Sequence, residues 1–193
     1  MNRLPLALRS RSLLGLALPL LSLLTGCGPT AEDIAKAIQS ENPVMREDGA
    51  KIAQNYDEDV VVDALITVLA DPSQRAKLNA LESLSELQNG RACPALVERL
   101  TGDSDPLVRR AAADAIGRVL CKEGAPALIT YAQEFAPDDR AQLGAIWGIG
   151  RLGYEGLEPD IRKQALDLLI ARREQATDPY VKYNVNLALR YLK

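Results

Sequence analysis

One stretch decides the fold of this 193-residue chain: Asp105-Pro106-Leu107-Val108-Arg109-Arg110-Ala111-Ala112-Ala113-Asp114-Ala115-Ile116-Gly117. Its Asp-Pro start supplies a helix cap and a proline in the first turn, where the missing N–H costs no hydrogen bond. Its apolar residues then fall at helical spacing on one face, at Val108, Ala112, Ala115, Ile116 and Val119. The stretch therefore predicts an amphipathic α-helix.

The same face recurs in four other segments, at steps of 31, 32, 33 and 40 residues. Met45, Ala76, Ala141 and Val181 match Val108; Gly49, Ala80, Ala145 and Val185 match Ala112; Ala53, Leu84, Ile149 and Leu189 match Ile116. A second apolar segment precedes each helix, at residues 30–40, 59–70, 92–100, 125–133 and 158–176. Such self-similarity indicates a repeat architecture, so we predict an all-α chain of about five antiparallel helix pairs.

The string Asp-Pro-x-Val-Arg-x-x-Ala-x-x-Ala-Ile-Gly of the third unit resembles the short HEAT-like repeat, and Ala95-Leu96-Val97 and Ala127-Leu128-Ile129 resemble its first helix. The resemblance implies an α-α superhelix, a HEAT-like solenoid, over residues 30–193. The chain departs from the family pattern at Gly49, in mid-helix, and at Gln142, where Arg is preferred. A tetratricopeptide-like array is the alternative, but the period is not constant and the Trp and Tyr positions of that family are absent.

A row of basic residues follows the repeat, at Arg46, Lys77, Arg109 and Lys182. In HEAT-like arrays such residues bond to loop acids and carbonyls of an adjacent unit. The resemblance therefore implies a structural ladder with partners among Asp71, Asp103, Asp105 and Asp178, and a ligand-binding stripe is the alternative.

The first 26 residues have the order of a secretory leader. Arg3, Arg9 and Arg11 precede an apolar run over residues 13–24, which is shorter than a membrane-spanning helix requires. The run ends in Leu24-Thr25-Gly26-Cys27, which resembles the lipobox of bacterial lipoproteins. That resemblance implies cleavage between Gly26 and Cys27, a diacylglyceryl group on the Cys27 thiol and an acyl group on its amine.

This resemblance divides the chain into a signal peptide at residues 1–26, a lipidated end and linker at 27–29, and the repeat domain at 30–193. It predicts a lipid-anchored protein of the bacterial cell envelope. Gly28 stands where an Asp would favour inner-membrane retention, so the outer membrane is the preferred location. An ordinary leader followed by a chance Cys is the alternative.

Charge argues against a nucleic-acid partner. Without its leader the chain loses three of 23 basic residues and none of 26 acidic ones, which leaves a net charge near −6. The chain has no His, so the commonest general base and metal ligand is missing. We therefore predict no enzyme activity, no metal and no cofactor other than the lipid on Cys27.

The remaining cysteines, Cys93 and Cys121, form an even pair in an oxidising compartment. If they are bridged, the closed loop of 29 residues stabilises the fold by roughly 3.5 kcal/mol in the chain-entropy description. Two buried thiols are the alternative.

A second motif, Gly148-Ile149-Gly150-Arg151-Leu152-Gly153, matches a dinucleotide-binding fingerprint but lacks the preceding strand. We interpret its glycines as residues that end the repeat helix and turn the chain.

Trp147 is the strongest candidate for binding a partner. Its equivalents in the other units are Lys51, Glu82, Asp114 and Leu187, mostly charged, which predicts a position facing solvent. Leu143, Leu78, Tyr183 and Leu187 belong to the same predicted strip, and such a composition is typical of an interface hot spot. The alternative is that Trp147 fills a gap against the next repeat.

The predicted function is a protein-interaction scaffold or adaptor. Two other functions stay open: an enzyme similar to the phycobilin lyases, whose HEAT-like repeats these resemble, and a structural lipoprotein that self-associates through its terminal helix. The sequence leaves the oligomeric state undecided.

Overall fold

The computed structural model describes residues 28–192. The expected signal peptide, the cleavage site at Gly26 and the lipidated Cys27 lie outside these residues. The described part contains ten α-helices. They are α1 Ala31–Ile38, α2 Pro43–Ile52, α3 Asp59–Val68, α4 Gln74–Leu87, α5 Cys93–Gly102, α6 Pro106–Val119, α7 Ala125–Gln133, α8 Leu143–Tyr154, α9 Pro159–Gln175 and α10 Pro179–Tyr191. None of these helices is long and apolar enough to cross a membrane.

The helices form five consecutive pairs, which confirms the predicted all-α solenoid. The second helices of neighbouring pairs, α2, α4, α6, α8 and α10, pack directly on one another along the array. The first helices of neighbouring pairs make fewer contacts with one another. Closer spacing on one side curves a stacked array toward that side, so the second helices form the inner, concave layer.

The start of α6 is the one that the sequence predicts, and α10 starts in the same way. Asp105 Oδ1 accepts a hydrogen bond from the Leu107 amide at 2.8 Å, and Asp178 Oδ1 accepts one from the Tyr180 amide at 2.7 Å. Both caps precede a proline in the first turn. These caps satisfy amides that have no partner inside the helix.

The predicted apolar face is the core face. Val108, Ala112 and Ile116 are fully buried, as are their equivalents in α4. The fourth unit differs at its start, because residues Arg140–Gln142 form a 3-10 turn and α8 begins only at Leu143. Ala141 therefore lies outside the helix and is only half-buried.

The glycines of the 148–153 motif lie inside α8, so the interpretation that they end the helix is wrong. They allow close packing instead. A Cβ on Gly117 would lie 2.6 Å from Gly148 Cα, and a Cβ on Gly150 would lie 2.9 Å from Ala188 Cα. Neighbouring inner helices can approach this closely only because these positions carry no side chain.

The basic row forms a partial ladder between units. Arg46 pairs with Asp71, and Lys77 Nζ lies 2.7 Å from Asp103 Oδ2. Arg109 pairs with Glu134 at 3.3 Å.

Two of the implied ladder partners are wrong. Asp105 caps α6 and accepts a hydrogen bond from Gln74, and Asp178 pairs with Arg140 at 2.8 Å. The ladder is structural where it is complete, because Asp71 and Asp103 are almost buried.

The structure joins Cys93 and Cys121 by a disulfide, with the two sulfurs 2.03 Å apart. Cys93 begins α5, and Cys121 lies just after the end of α6. The bridge therefore ties together the two ends of the third repeat.

Candidate functional site

Trp147 lies on the inner face of α8 and is half-buried. Its ring packs over Gly117 of the preceding repeat: a Cβ on Gly117 would lie 3.1 Å from Trp147 Cζ3 and 3.2 Å from Cε3. The prediction that Trp147 faces solvent is therefore only half right, because one side of the ring is covered. A glycine at position 117 is what lets the indole lie flat on the neighbouring helix.

The uncovered side of Trp147 faces a groove between α8 and α10, which we call the aromatic groove. It has a volume of about 360 Å³ and is lined by Trp147, Arg151, Tyr154, Glu155, Leu187 and Tyr191. Tyr154 and Tyr191 meet edge to face with ring centroids 6.1 Å apart. Tyr154 is 74% exposed, which is unusual for a side chain of this size and leaves it free to contact a partner.

Two guanidinium groups flank the indole of Trp147. The Arg151 Cζ atom lies 5.1 Å from the ring centroid and that of Arg118 lies 6.0 Å from it. Arg118 also pairs with Glu86 at 3.1 Å. Among residues 28–192, no carboxylate lies within ion-pair distance of Arg151.

A separate groove between α4 and α6 is lined by Leu78, Glu82, Glu86, Asp114 and Arg118, among others. Asp114 lies directly over Gly144, where any side chain would overlap its carboxylate. Burial raises the pKa of Asp114 above its usual range, and the charges of Arg110 and Arg118 offset this only in part. Four of these five lining side chains are charged, whereas aromatic rings and Leu187 make up most of the lining of the aromatic groove.

The structure brings together only part of the predicted strip. Leu187 lines the aromatic groove with Trp147, whereas Leu78 lines the polar groove two repeats away. Leu143 is half-buried and packs against the core, and Tyr183 is 65% exposed but does not line the aromatic groove.

Sequence reasoning missed Arg151 and Tyr154, which follow Trp147 by one and two turns on α8. Helical spacing alone could have identified both. Tyr191 lies on the last helix, and its contact with Tyr154 depends on side-chain orientations that the repeat pattern does not reveal.

The described residues carry no cluster of three or more His, Cys, Asp or Glu side chains that could hold a metal ion. The carboxylates of Asp71, Asp103 and Asp178, whose pKa values lie below the usual range, are held by backbone amides and by ion pairs between repeats. The aromatic groove offers the ring faces of Trp147 and two tyrosines, the Leu187 side chain and the Arg151 guanidinium. These groups suit it to contact with another molecule.

Comparison with known proteins agrees with the helix pairs. The family described as HEAT repeats matches residues 31–116 and 94–190. The chain belongs to the HEAT-repeat family. No curated protein sequence matches this HEAT-repeat protein significantly.

Solved structures share the solenoid. The complex of CpcE and CpcF of phycocyanin lyase from Nostoc sp. PCC7120 contains a chain that is 24% identical, with a TM-score of 0.71. The match covers 87% of this HEAT-repeat protein but only 66% of that chain.

Two other solved structures are similar to this chain. A designed armadillo repeat protein in complex with the peptide (KR)4 is 14% identical, with a TM-score of 0.66 over 90% of this chain and 85% of that one. A structure from the interaction between cadherin and β-catenin is 18% identical, with a TM-score of 0.60 over 84% and 38% of the two chains. At these identities the likeness shows the fold.

Proposed function

We propose that this HEAT-repeat protein is a lipid-anchored scaffold or adaptor that binds another protein at the bacterial cell envelope. The aromatic groove is the observation that carries the proposal. It places a half-buried Trp, two Tyr and an Arg on the concave layer of a solenoid, and these residue types dominate interface hot spots. Some of the similar solenoids bind a peptide or another protein, which supports the same role here.

The anchor rests on the sequence of residues 1–27, and the start of the folded part is consistent with it. Only Gly28, Pro29 and Thr30 separate Cys27 from α1. Tyr56 Oη donates a hydrogen bond to the Pro29 carbonyl at 3.1 Å, so this short connection is held against the first repeat. A lipid on Cys27 would therefore keep the first repeat at the membrane surface, and we place the protein at the outer membrane.

Self-association by end-to-end stacking is disfavoured at the first repeat. The face of α2 that has no repeat before it in residues 28–192 carries Ile52, which is 41% exposed. The equivalent positions are small wherever they pack on a preceding repeat: they are Ser83, Ala115, Gly148 and Ala188. A side chain as large as Ile52 would overpack an interface of that spacing.

The outer face of the last repeat also disfavours stacking. Arg190 is exposed at the position held by Ser85, Gly117 and Gly150 in the three preceding repeats. Stacking one copy on another at the internal spacing would place Ile52 against Arg190, which would bury an unpaired charge. Both end faces therefore disfavour stacking of one copy on another at the internal spacing, and the concave layer remains as the binding surface.

A lyase-like function is the second candidate, and its support is the likeness to the phycocyanin lyase chain. Binding of a tetrapyrrole distinguishes it, because a bound bilin absorbs visible light. Spectra of the purified protein, before and after incubation with a free bilin, would favour this function if a protein-bound visible band appeared.

The proposal is tested by crosslinking in intact cells. A photoreactive amino acid replaces Tyr154, and crosslinked partners are identified by mass spectrometry with and without Trp147→Ala. Tyr183→Ala is the matched control, because Tyr183 is an exposed aromatic residue on the same layer outside the groove. We expect Trp147→Ala to abolish a specific crosslink that Tyr183→Ala retains.

Equal crosslinking by both variants would contradict the concave binding site. The anchor is tested separately by the mass of the N-terminal peptide from membranes. We expect a diacylglyceryl group on Cys27, and a retained Met1 would refute the anchor.

A further inference from the structure

Charge is distributed unevenly along the solenoid. Residues 28–139 carry 11 basic and 20 acidic side chains, whereas residues 140–193 carry nine basic and six acidic ones. The first segment therefore has a net charge of −9 and the second a net charge of +3. The aromatic groove lies between α8 and α10, within the basic segment.

The groove carries two charged side chains, Arg151 and Glu155, and no carboxylate among residues 28–192 lies within ion-pair distance of Arg151. Eight other arginines in the described part pair with acids. Arg151 instead stacks on Trp147. A guanidinium stacked by its face keeps the N–H groups of its edge free, and these match the geometry of a carboxylate.

The groove also offers apolar contact beside this guanidinium. Leu187 and the rings of Trp147, Tyr154 and Tyr191 line it together with Arg151. A ligand that satisfies both features carries a carboxylate and an aliphatic or aromatic side chain close to each other.

We propose that the aromatic groove binds an acidic segment of a partner protein. One Glu or Asp of the segment pairs with Arg151, and a neighbouring apolar side chain packs between Trp147, Tyr154 and Leu187. This inference rests on the proposed function and names the chemistry of its partner. The net charge of the C-terminal segment opposes a basic peptide, in contrast to the (KR)4 ligand of the designed armadillo protein.

Trp147 is the only Trp of the chain, so its fluorescence reports on the groove directly. The full protein is purified from membranes in a non-ionic detergent and titrated with a short Trp-free peptide in which Glu alternates with Leu. Two peptides serve as controls, one with Lys in place of Glu and one with Ser in place of Leu. We expect a saturable change in fluorescence with the Glu/Leu peptide that weakens as salt rises.

The same titration is repeated with Arg151→Gln, for which we expect roughly tenfold weaker binding, as for the loss of a charge-assisted hydrogen bond. Arg173→Gln is the matched control, because Arg173 lies on α9 outside the aromatic groove. It should bind as the native protein does.

Three outcomes would overturn the inference: tighter binding of the Lys/Leu peptide, no saturable binding of the Glu/Leu peptide, or equal loss in the two Arg variants. A fluorescence change on dilution without peptide would indicate a second copy in the groove and would also overturn it. If the inference fails in any of these ways while the Trp147-dependent crosslink persists in cells, the chemistry assigned to the partner is wrong and the proposed function stands. If no crosslink in cells depends on Trp147, the proposed function itself is refuted.

Discussion

The second and third repeats are joined differently from the third and fourth. Lys77 of α4 reaches across to the loop of the next repeat and lies 2.7 Å from Asp103, whose side chain is 2% exposed. In α6, Arg109 takes the equivalent position and pairs with Glu134 of the next repeat at 3.3 Å, but both side chains are partly exposed. Between α6 and α8 the close contact is made by Gly117 and Gly148.

The two interfaces have different consequences for the surface. A buried ion pair fixes the register of two repeats, because its hydrogen bonds require a defined direction and distance. Its two charges are then not available to bind a partner. Paired glycines fix the spacing of two helices and leave the neighbouring side chains free. Trp147 lies flat on Gly117 for this reason, and its other side faces the aromatic groove.

Asp103→Ala should destabilise the junction of the second and third repeats more than any other variant proposed below. It leaves the Lys77 ammonium unpaired in a site where its side chain is 13% exposed. Removing one partner of a buried pair costs roughly 3–5 kcal/mol. Chemical denaturation measures the change in free energy of unfolding.

Asp59→Ala is the control for this variant. Asp59 pairs with Arg91, but its side chain is 73% exposed, so the loss should lie within about 1 kcal/mol. Similar losses for the two variants would show that the ladder does not hold the second and third repeats together.

A second variant, Gly117→Ala, tests the glycine interface. The added Cβ would lie 2.6 Å from Gly148 Cα and 3.1 Å from the Trp147 ring, so α6 and α8 must move apart. We expect a loss of about 1–3 kcal/mol, as for other overpacked sites, together with a change in Trp147 fluorescence.

Gly102→Ala is the matched control, because a Cβ at Gly102 meets nothing within 4 Å. It should leave stability unchanged or raise it slightly through helix propensity. A Gly117→Ala protein as stable as this control would show that close helix approach is unimportant there.

The fold was predictable because it depends on local patterns that repeat. The Asp-Pro starts, the spacing of Val108, Ala112 and Ile116, and the recurrence of that face are all visible in the sequence, and each has a local cause in capping or burial. The start of α8 was not predictable in the same way, because residues 140–142 form a 3-10 turn whose Gln142 is buried among loop carbonyls.

The candidate site was only partly predictable. Trp147 stands out from its charged equivalents, but its cover by Gly117 depends on how closely two helices approach, and that distance is set by both helices together. The role of the glycines of α8 was not predictable for the same reason, because it depends on the distance between two helices. In a single sequence a glycine signals a turn as readily as close packing, and only the neighbouring helix decides between them.

Asp114→Asn should have the smallest effect, and this effect should depend on pH. Burial raises the pKa of Asp114 above the reference value of 3.8, so the folded state holds this proton more tightly than the unfolded state does. The contribution of Asp114 to stability is therefore greatest at low pH and falls as pH rises through its folded pKa. Asn is neutral throughout, so the variant should melt slightly higher than the native protein at pH 7, with the difference vanishing near pH 4.

Asp103→Asn should give the opposite sign. Burial by itself raises the pKa of Asp103, but hydrogen bonds from Lys77 and the Asp105 amide outweigh it and hold the pKa below its usual value. The stability that Asp103 provides is present above pH 4 and lost as pH falls through its lowered pKa, so Asp103→Asn should be more destabilising at pH 7 than at acid pH. Thermal melts at the two pH values would show opposite trends. Parallel trends would mean that Asp114 and Asp103 do not lie in electrostatically different environments.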